Sequence, residues 1–183
     1  DSRTLFFADQ VLKGGNLYKD CCYAYGPLPV YLTAGLMATI SRELIFFRFL
    51  FVLVASVGVY FMYFVARRIC PPLWSALAAL ATFSTLSIPA YTYAHIYGVV
   101  ACILCLLSIL RAQERENSSE IVKAAGWAAI VILVKPLMIG AGLLAAVLLY
   151  LMSPWNHLKR VRSALLFISV TFSVSLIGYS YFI

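Results

Sequence analysis

Acidic and basic side chains gather in the first fifth of the sequence, before its long apolar runs. Asp1, Asp9 and Asp20 are the carboxylates of this stretch. A carboxylate can take a proton from an acceptor hydroxyl or amine. Cations nearby can neutralise a phosphate leaving group as negative charge develops on it. The candidate cations, some of them further along the chain, are Lys13, Lys19, Arg42, Arg48, His95 and Lys135.

The composition places these groups at a membrane. Hydrophobic residues make up 63% of the 183 residues, charged residues 11%, and the mean hydropathy is +0.93. A water-facing fold of this size cannot bury so much apolar surface, so lipid must be its solvent. The net charge of +7 is spread between apolar runs. This pattern favours anionic lipid head groups as partners and argues against nucleic acid.

The apolar runs predict an all-α, polytopic transmembrane bundle. A span needs about 20 apolar residues, with a range of roughly 17 to 25. We expect one domain, 1–183, in which 1–43 is an extracytoplasmic loop with juxtamembrane helices and 44–183 holds about six spans. Because the chain begins with Asp1 and ends inside an apolar run, we expect it to be part of a longer multi-pass protein. The predicted spans are 44–66, 71–88, 96–110, 121–134, 137–152 and 164–183.

The distribution of basic residues predicts the orientation. Cytoplasmic loops of membrane proteins carry an excess of Lys and Arg. The basic residues are concentrated on one side of the membrane only if two conditions hold. The N-terminal segment must be outside, and segment 28–40, which contains Pro29 and Gly35, must not cross the membrane. We therefore predict a helix over 28–40 that lies on, or dips into, the outer face. The basic residues then assigned to the inside are Arg67, Arg68, Arg111, Arg115, Lys123, Lys159, Arg160 and Arg162.

Motifs in the first loop and beyond it resemble a known superfamily. The loop holds "ADQVLKG" from Ala8 to Gly14, "YKD" at 18–20 and "GPLPVYL" at 26–32. Later come "FFRFLFVL" with Arg48, a basic pair at 67–68 and "LVKPLM" with Lys135. Their order and separations resemble the GT-C glycosyltransferases. The similarity is greatest to the branch of the protein O-mannosyltransferases and the lipid A aminoarabinose transferase, and it covers roughly residues 1 to 152.

The resemblance implies a transferase that uses a polyprenyl-phosphate-linked sugar at the extracytoplasmic face of a bacterial inner membrane. Asp1 would be the general base of an inverting displacement, with the lipid phosphate as leaving group. Lys135, Arg48 and His95 would lie near the donor phosphate. The acceptor, a lipid, glycan or protein, would meet Asp20, Tyr18 and Tyr25. Ser2 follows Asp1 where many relatives have Glu, which disfavours a peptide acceptor.

Each of these residues also has a purely structural interpretation. Asp1 could be a solvated loop acid, and Asp20 could cap the helix after it. Lys135 could snorkel to the membrane surface, and Arg48 could pair with Glu43. His95 could be an ordinary loop histidine. The tyrosines of the loop, Tyr18, Tyr23, Tyr25 and Tyr31, could form an interfacial aromatic belt.

Three other sequence patterns do not indicate a catalytic or binding site. "KGGN" at 13–16 lacks the spacing of a phosphate-binding loop, and no metal or other cofactor is expected. The thiols of Cys102 and Cys105 lie in an apolar run, where they act as small hydrophobes. The glycosylation triplet Asn-Ser-Ser that begins at Asn117 falls on the predicted inside, so we expect no glycan there.

The rival function is a transporter or a lipid-linked glycan flippase, which would need ionisable residues or broken helices at mid-membrane.

Overall fold

The computed structural model describes residues 2–19, 23, 25–86, 93–115, 117–136, 139–152 and 155–182. These residues form α-helices and contain no strand, so the all-α prediction is confirmed. The helices are α1 (Ser2–Leu12), α2 (Leu28–Thr39), α3 (Leu44–Arg67), α4 (Pro72–Leu86), α5 (Tyr93–Arg115), α6 (Ser118–Val134), α7 (Ile139–Met152) and α8 (His157–Phe182).

Three of the helices, α3, α5 and α8, are long and apolar enough to cross a membrane. Helices α4, α6 and α7 have 15, 17 and 14 residues. At 1.5 Å per residue they are shorter than a hydrocarbon core of about 30 Å. The structure therefore supports a membrane protein with three candidate spans, and the count of six stays a prediction.

Local sequence explains where several helices begin. Pro72 opens α4, at the first helical position where the missing N–H costs no hydrogen bond. Asn117 caps α6, because its side-chain oxygen accepts a hydrogen bond from the backbone N–H of Ser119 at 2.9 Å. The Asn117 side chain thus has a structural role as a helix cap.

Helix α6 lies between α5 and α8 and packs against both. Small residues on both of its faces let the neighbouring backbones approach closely. The Thr171 hydroxyl of α8 donates a hydrogen bond to the Ala125 carbonyl of α6 at 3.3 Å. Cys105 of α5 is buried in the same core, and its thiol is free. The buried alanines of α6 are Ala124, Ala125, Ala128 and Ala129.

Contacts between helix ends define two ends of the bundle. The Arg68 guanidinium, just after α3, pairs with Glu114 near the end of α5 at 2.6 Å. We call this the basic end, formed by residues 67–72, 111–115, 117–123 and 155–162. The Tyr179 hydroxyl of α8 donates to the Ile132 carbonyl of α6 at 3.1 Å at the opposite end. We call that the loop end, since α1 and α2 pack there.

Charge is distributed unequally between these ends. All eight basic residues predicted to face inward lie at the basic end. Their clustering at one end follows from the antiparallel order of successive helices. The side of the membrane that this end faces stays a prediction of the positive-inside rule.

Glu120 at the basic end gives a testable pH dependence. Its carboxylate is buried and accepts a hydrogen bond from Lys123 Nζ at 2.6 Å. This bond, supported by Arg111 and Arg115, holds the pKa of Glu120 below its ordinary value of 4.5. A lowered folded-state pKa stabilises the fold above the unfolded value, and the stabilisation is lost as pH falls through the folded value. We expect Glu120→Gln to lower the unfolding temperature in detergent by about 2 °C at neutral pH.

The difference between Glu120→Gln and the unchanged protein should vanish once the pH is well below 4.5. Glu114→Gln is the control, because the Glu114 side chain is 53% exposed and solvent screens its pair with Arg68. Equal unfolding temperatures for Glu120→Gln and the unchanged protein at neutral pH would contradict the role of the Glu120–Lys123 pair.

Candidate functional site

The first loop folds around a small apolar core of its own. Helices α1 and α2 enclose this core, and Phe7 and Tyr23 meet edge to face with ring centroids 4.9 Å apart. The predicted helix over 28–40 is α2, and Thr33 is buried on its inner face. The loop is therefore a packed unit that can hold side chains in fixed positions. The buried members of its core are Ala8, Leu17, Tyr23, Val30 and Ala34.

A backbone clamp fixes this loop to the end of α6. The Gly26 N–H donates a hydrogen bond to the Val134 carbonyl at 3.0 Å. A Cβ atom on Gly26 would lie 1.8 Å from the Leu133 carbonyl oxygen. Only glycine allows so close an approach. The "GPL" and "VKP" motifs, more than a hundred residues apart in sequence, are thus joined directly.

Lys135 follows this clamp and points its ammonium toward the first loop. The backbone leaves the helix at Lys135, where φ is −150° and ψ is 100°. The Lys135 Nζ lies 5.9 Å from the centroid of the Tyr25 ring, which is within cation–π range. The charge of Lys135 also acts on the imidazole of His95, at the start of α5. The structure therefore brings Lys135 and Tyr25 together, and His95 lies within range of the Lys135 charge.

Two further tyrosines support this group. The Tyr18 hydroxyl donates to the Tyr25 carbonyl at 3.1 Å, so it holds the backbone that carries the Tyr25 ring. Burial, with the neighbouring Tyr179 as a second cause, raises the pKa of Tyr18 well above its usual value, so the phenol stays neutral. Tyr179 was missed by sequence reasoning, because nothing in the apolar 164–183 run marks it as different from other interfacial tyrosines.

Tyr23 lies deeper in the core of the first loop. Burial raises the pKa of Tyr23 to about 12. Its hydroxyl lies near Thr4 but meets no partner at full hydrogen-bond geometry among the described residues. Tyr23 therefore serves packing, whereas Tyr25 faces the Lys135 ammonium.

An apolar groove lies between α2, α5 and α6. Its volume is about 290 Å³. Leu28 and Leu32 form the α2 wall, Leu104 is the lining residue furthest along α5, and Trp127 lines the α6 side. The groove ends at Val134, the residue before Lys135. An apolar slot whose α6 wall reaches the residue before a lysine can accommodate the tail of an amphiphile that carries an anionic head.

Arg48 lies apart from this group. It is exposed on the outer face of α3, beside the exposed Ile45, Phe49 and Val52. Among the described residues it forms no ion pair with Glu43. The structure therefore supports neither the pairing with Glu43 nor a contact with Lys135.

Of the three predicted acids, the structure describes only Asp9. Asp1 and Asp20 lie outside the described residues, so their predicted roles stay predictions. Asp9 lies on α1 and pairs with Lys13 one turn later. This pair satisfies two of the charges in the first loop, and we do not assign a chemical role to either.

Comparison of the chain with known protein families, curated proteins and solved structures found no match. The class is therefore defined by the fold alone: an α-helical membrane protein with three candidate spans, a packed first loop and an apolar groove.

Proposed function

We propose that this chain is a membrane glycosyltransferase of the GT-C class that uses a polyprenyl-phosphate-linked sugar. The observation that carries the proposal is the position of Lys135, which lies beside the Tyr25 ring and directly follows Val134 of the groove wall. A polyprenyl-phosphate sugar has the matching parts, since its apolar tail suits the groove and its phosphate suits the cations. The aromatic face of Tyr25, held beside Lys135, suits a sugar ring.

The reaction follows from the chemistry of these groups. The acceptor hydroxyl or amine attacks the anomeric carbon, and Asp1 takes its proton. The bond between the anomeric carbon and the phosphate oxygen breaks, so that the lipid phosphate leaves with its electron pair. Lys135 stabilises the negative charge that develops on this phosphate. In-line displacement inverts the anomeric centre.

The charge distribution supports a location for this chemistry. The eight cations of the basic end favour the cytoplasmic side, because cytoplasmic loops are enriched in Lys and Arg. The loop end, with the groove and Lys135, then lies at the extracytoplasmic face. The charged side chains of α3, α5, α6 and α8 all lie within two turns of a helix end, which disfavours the flippase alternative.

The test is sugar transfer by the full-length protein in membranes supplied with a radiolabelled polyprenyl-phosphate sugar pool. We expect label to move to an acceptor, and we expect Asp1→Asn to reduce the rate about a hundredfold at equal expression. Asp9→Asn is the matched control, because Asp9 pairs with Lys13 on α1 and should tolerate the change. Transfer that Asp1→Asn leaves intact would place the base elsewhere. An absence of transfer from every donor, with lipid translocation present, would overturn the proposal in favour of a flippase.

A further inference from the structure

A hydrogen bond from α8 completes the last turn of α6. A helix leaves its last carbonyls without partners of its own. The Ile132 carbonyl would ordinarily accept from the backbone N–H of residue 136, but that residue is Pro136, which has no N–H to donate. The Tyr179 hydroxyl of α8 donates to this carbonyl instead, at 3.1 Å. A side chain from another helix thus supplies the bond that the α6 backbone lacks.

Close packing of α8 against α6 brings the Tyr179 hydroxyl to this turn. A Cβ atom built on Gly178 would lie 2.8 Å from both Cδ atoms of Leu133. The small residue at position 178 therefore lets the two helices approach closely. Leu133 is also the residue whose carbonyl oxygen meets Gly26 of the first loop. The end of α6 is thus held by α8 as well as by the first loop.

Tyr179 contacts both segments that form the pair of Lys135 and Tyr25. The Lys135 N–H donates to the Val131 carbonyl at 2.9 Å, and the next carbonyl along the chain is the one that Tyr179 binds. The Tyr179 phenol is also within electrostatic range of the Tyr18 phenol. The Tyr18 hydroxyl in turn holds the Tyr25 carbonyl at 3.1 Å. A shift of this turn of α6 would therefore move the Lys135 ammonium relative to the Tyr25 ring.

We infer that Tyr179 is a positioning residue that holds the Lys135 ammonium beside the Tyr25 ring. Its effect on sugar transfer rests on the proposed function, whereas the position of Lys135 can be measured without it. Tyr179→Phe removes the donor to the Ile132 carbonyl, and this turn of α6 can then shift. A displacement of about 1 Å at a reacting centre can cost a hundredfold in rate, and we expect a smaller shift to lower kcat about tenfold. The KM for the donor should change less than about twofold, because the charge that Lys135 stabilises develops in the transition state.

Nuclear magnetic resonance of Lys135 measures its position directly. The lysines of the full-length protein in detergent would be dimethylated with ¹³C-formaldehyde, which keeps their positive charge. The resonance that is lost in Lys135→Arg belongs to Lys135. An aromatic ring shifts the resonance of a methyl group beside it, so Tyr25→Leu gives the value without the ring. We expect Tyr179→Phe to move the Lys135 resonance at least half of the way toward that value.

Tyr60→Phe is the matched control, because it removes a hydroxyl from an exposed tyrosine of α3 and should leave both the resonance and transfer unchanged. An unmoved Lys135 resonance in Tyr179→Phe, or an equal movement in Tyr60→Phe, would overturn the inference whatever happens to transfer. Movement in Tyr179→Phe with an unchanged kcat would overturn its role in the reaction. If the resonance moves but the unchanged protein transfers no sugar, the positioning of Lys135 by Tyr179 stands and the proposed function fails.

Discussion

Replacing Gly26 with Ala is expected to destabilise the docking of the first loop and to reduce sugar transfer more than a hundredfold. The new Cβ would lie 1.8 Å from the Leu133 carbonyl oxygen, and this neighbour is backbone, which cannot rotate away. Overpacking of this kind costs about 1–3 kcal/mol, and the hydrogen bond to Val134 adds about 1 kcal/mol when it is lost. Residue 26 must therefore move away from the end of α6, and this movement carries Tyr25 away from Lys135. A displacement of about 1 Å at a reacting centre can cost a hundredfold in rate.

Gly35 provides the matched control for this change. It lies within α2, and a Cβ built on it meets nothing within 4 Å. Gly35→Ala should therefore retain transfer and slightly stabilise the helix, because Ala exceeds Gly in helix propensity by about 1 kcal/mol. Limited proteolysis of the first loop in detergent measures the docking, and the transfer assay measures the function. Slow proteolysis and full transfer in Gly26→Ala would show that the clamp is not needed.

Helix positions were largely predictable because an apolar run is a property of neighbouring residues. The predicted span 44–66 corresponds to α3, Leu44–Arg67. The helices extend beyond the predicted spans at their polar ends: α5 continues to Arg115, beyond the predicted span end at 110, and α8 begins at His157, before the predicted span start at 164. Apolar runs mark the part of a helix suited to hydrocarbon, whereas backbone hydrogen bonds continue through the charged turns at its ends.

The site was predictable only in part, because its geometry depends on contacts between distant segments. The sequence predicted Lys135 near the donor phosphate and Tyr25 near the acceptor, and the structure places the Lys135 ammonium 5.9 Å from the Tyr25 ring, while the roles of both stay predictions. The sequence contains no signal for the groove, since its walls come from three helices whose register is set by packing. Arg48 lies near a helix start, as predicted, but the face that it occupies follows from the burial of its neighbour Phe47, which turns Arg48 away from the core.

Replacing Lys135 with Met is expected to reduce sugar transfer by about 10²–10³-fold with little change in stability. The loss follows from removing one group that stabilises developing negative charge. The fold should survive, because the contribution of residue 135 to the end of α6 is its backbone N–H, which donates to the Val131 carbonyl at 2.9 Å in either variant. Met also retains most of the apolar length of the Lys side chain. The measurement is the transfer rate at saturating donor, together with the unfolding temperature in detergent.

Two further variants separate charge from packing at this position. Lys135→Arg keeps the positive charge and should recover a large part of the rate, although its planar guanidinium presents a different geometry to a phosphate. Lys13→Met removes a cation from the same loop end, where Lys13 is exposed and pairs with Asp9, and it should leave the rate unchanged. If Lys13→Met and Lys135→Met lower the rate equally, general attraction of the anionic donor to the loop end explains the effect. A large loss in Lys135→Met alone, recovered by Arg, requires a cation at position 135, where the leaving phosphate of a lipid-linked donor would lie.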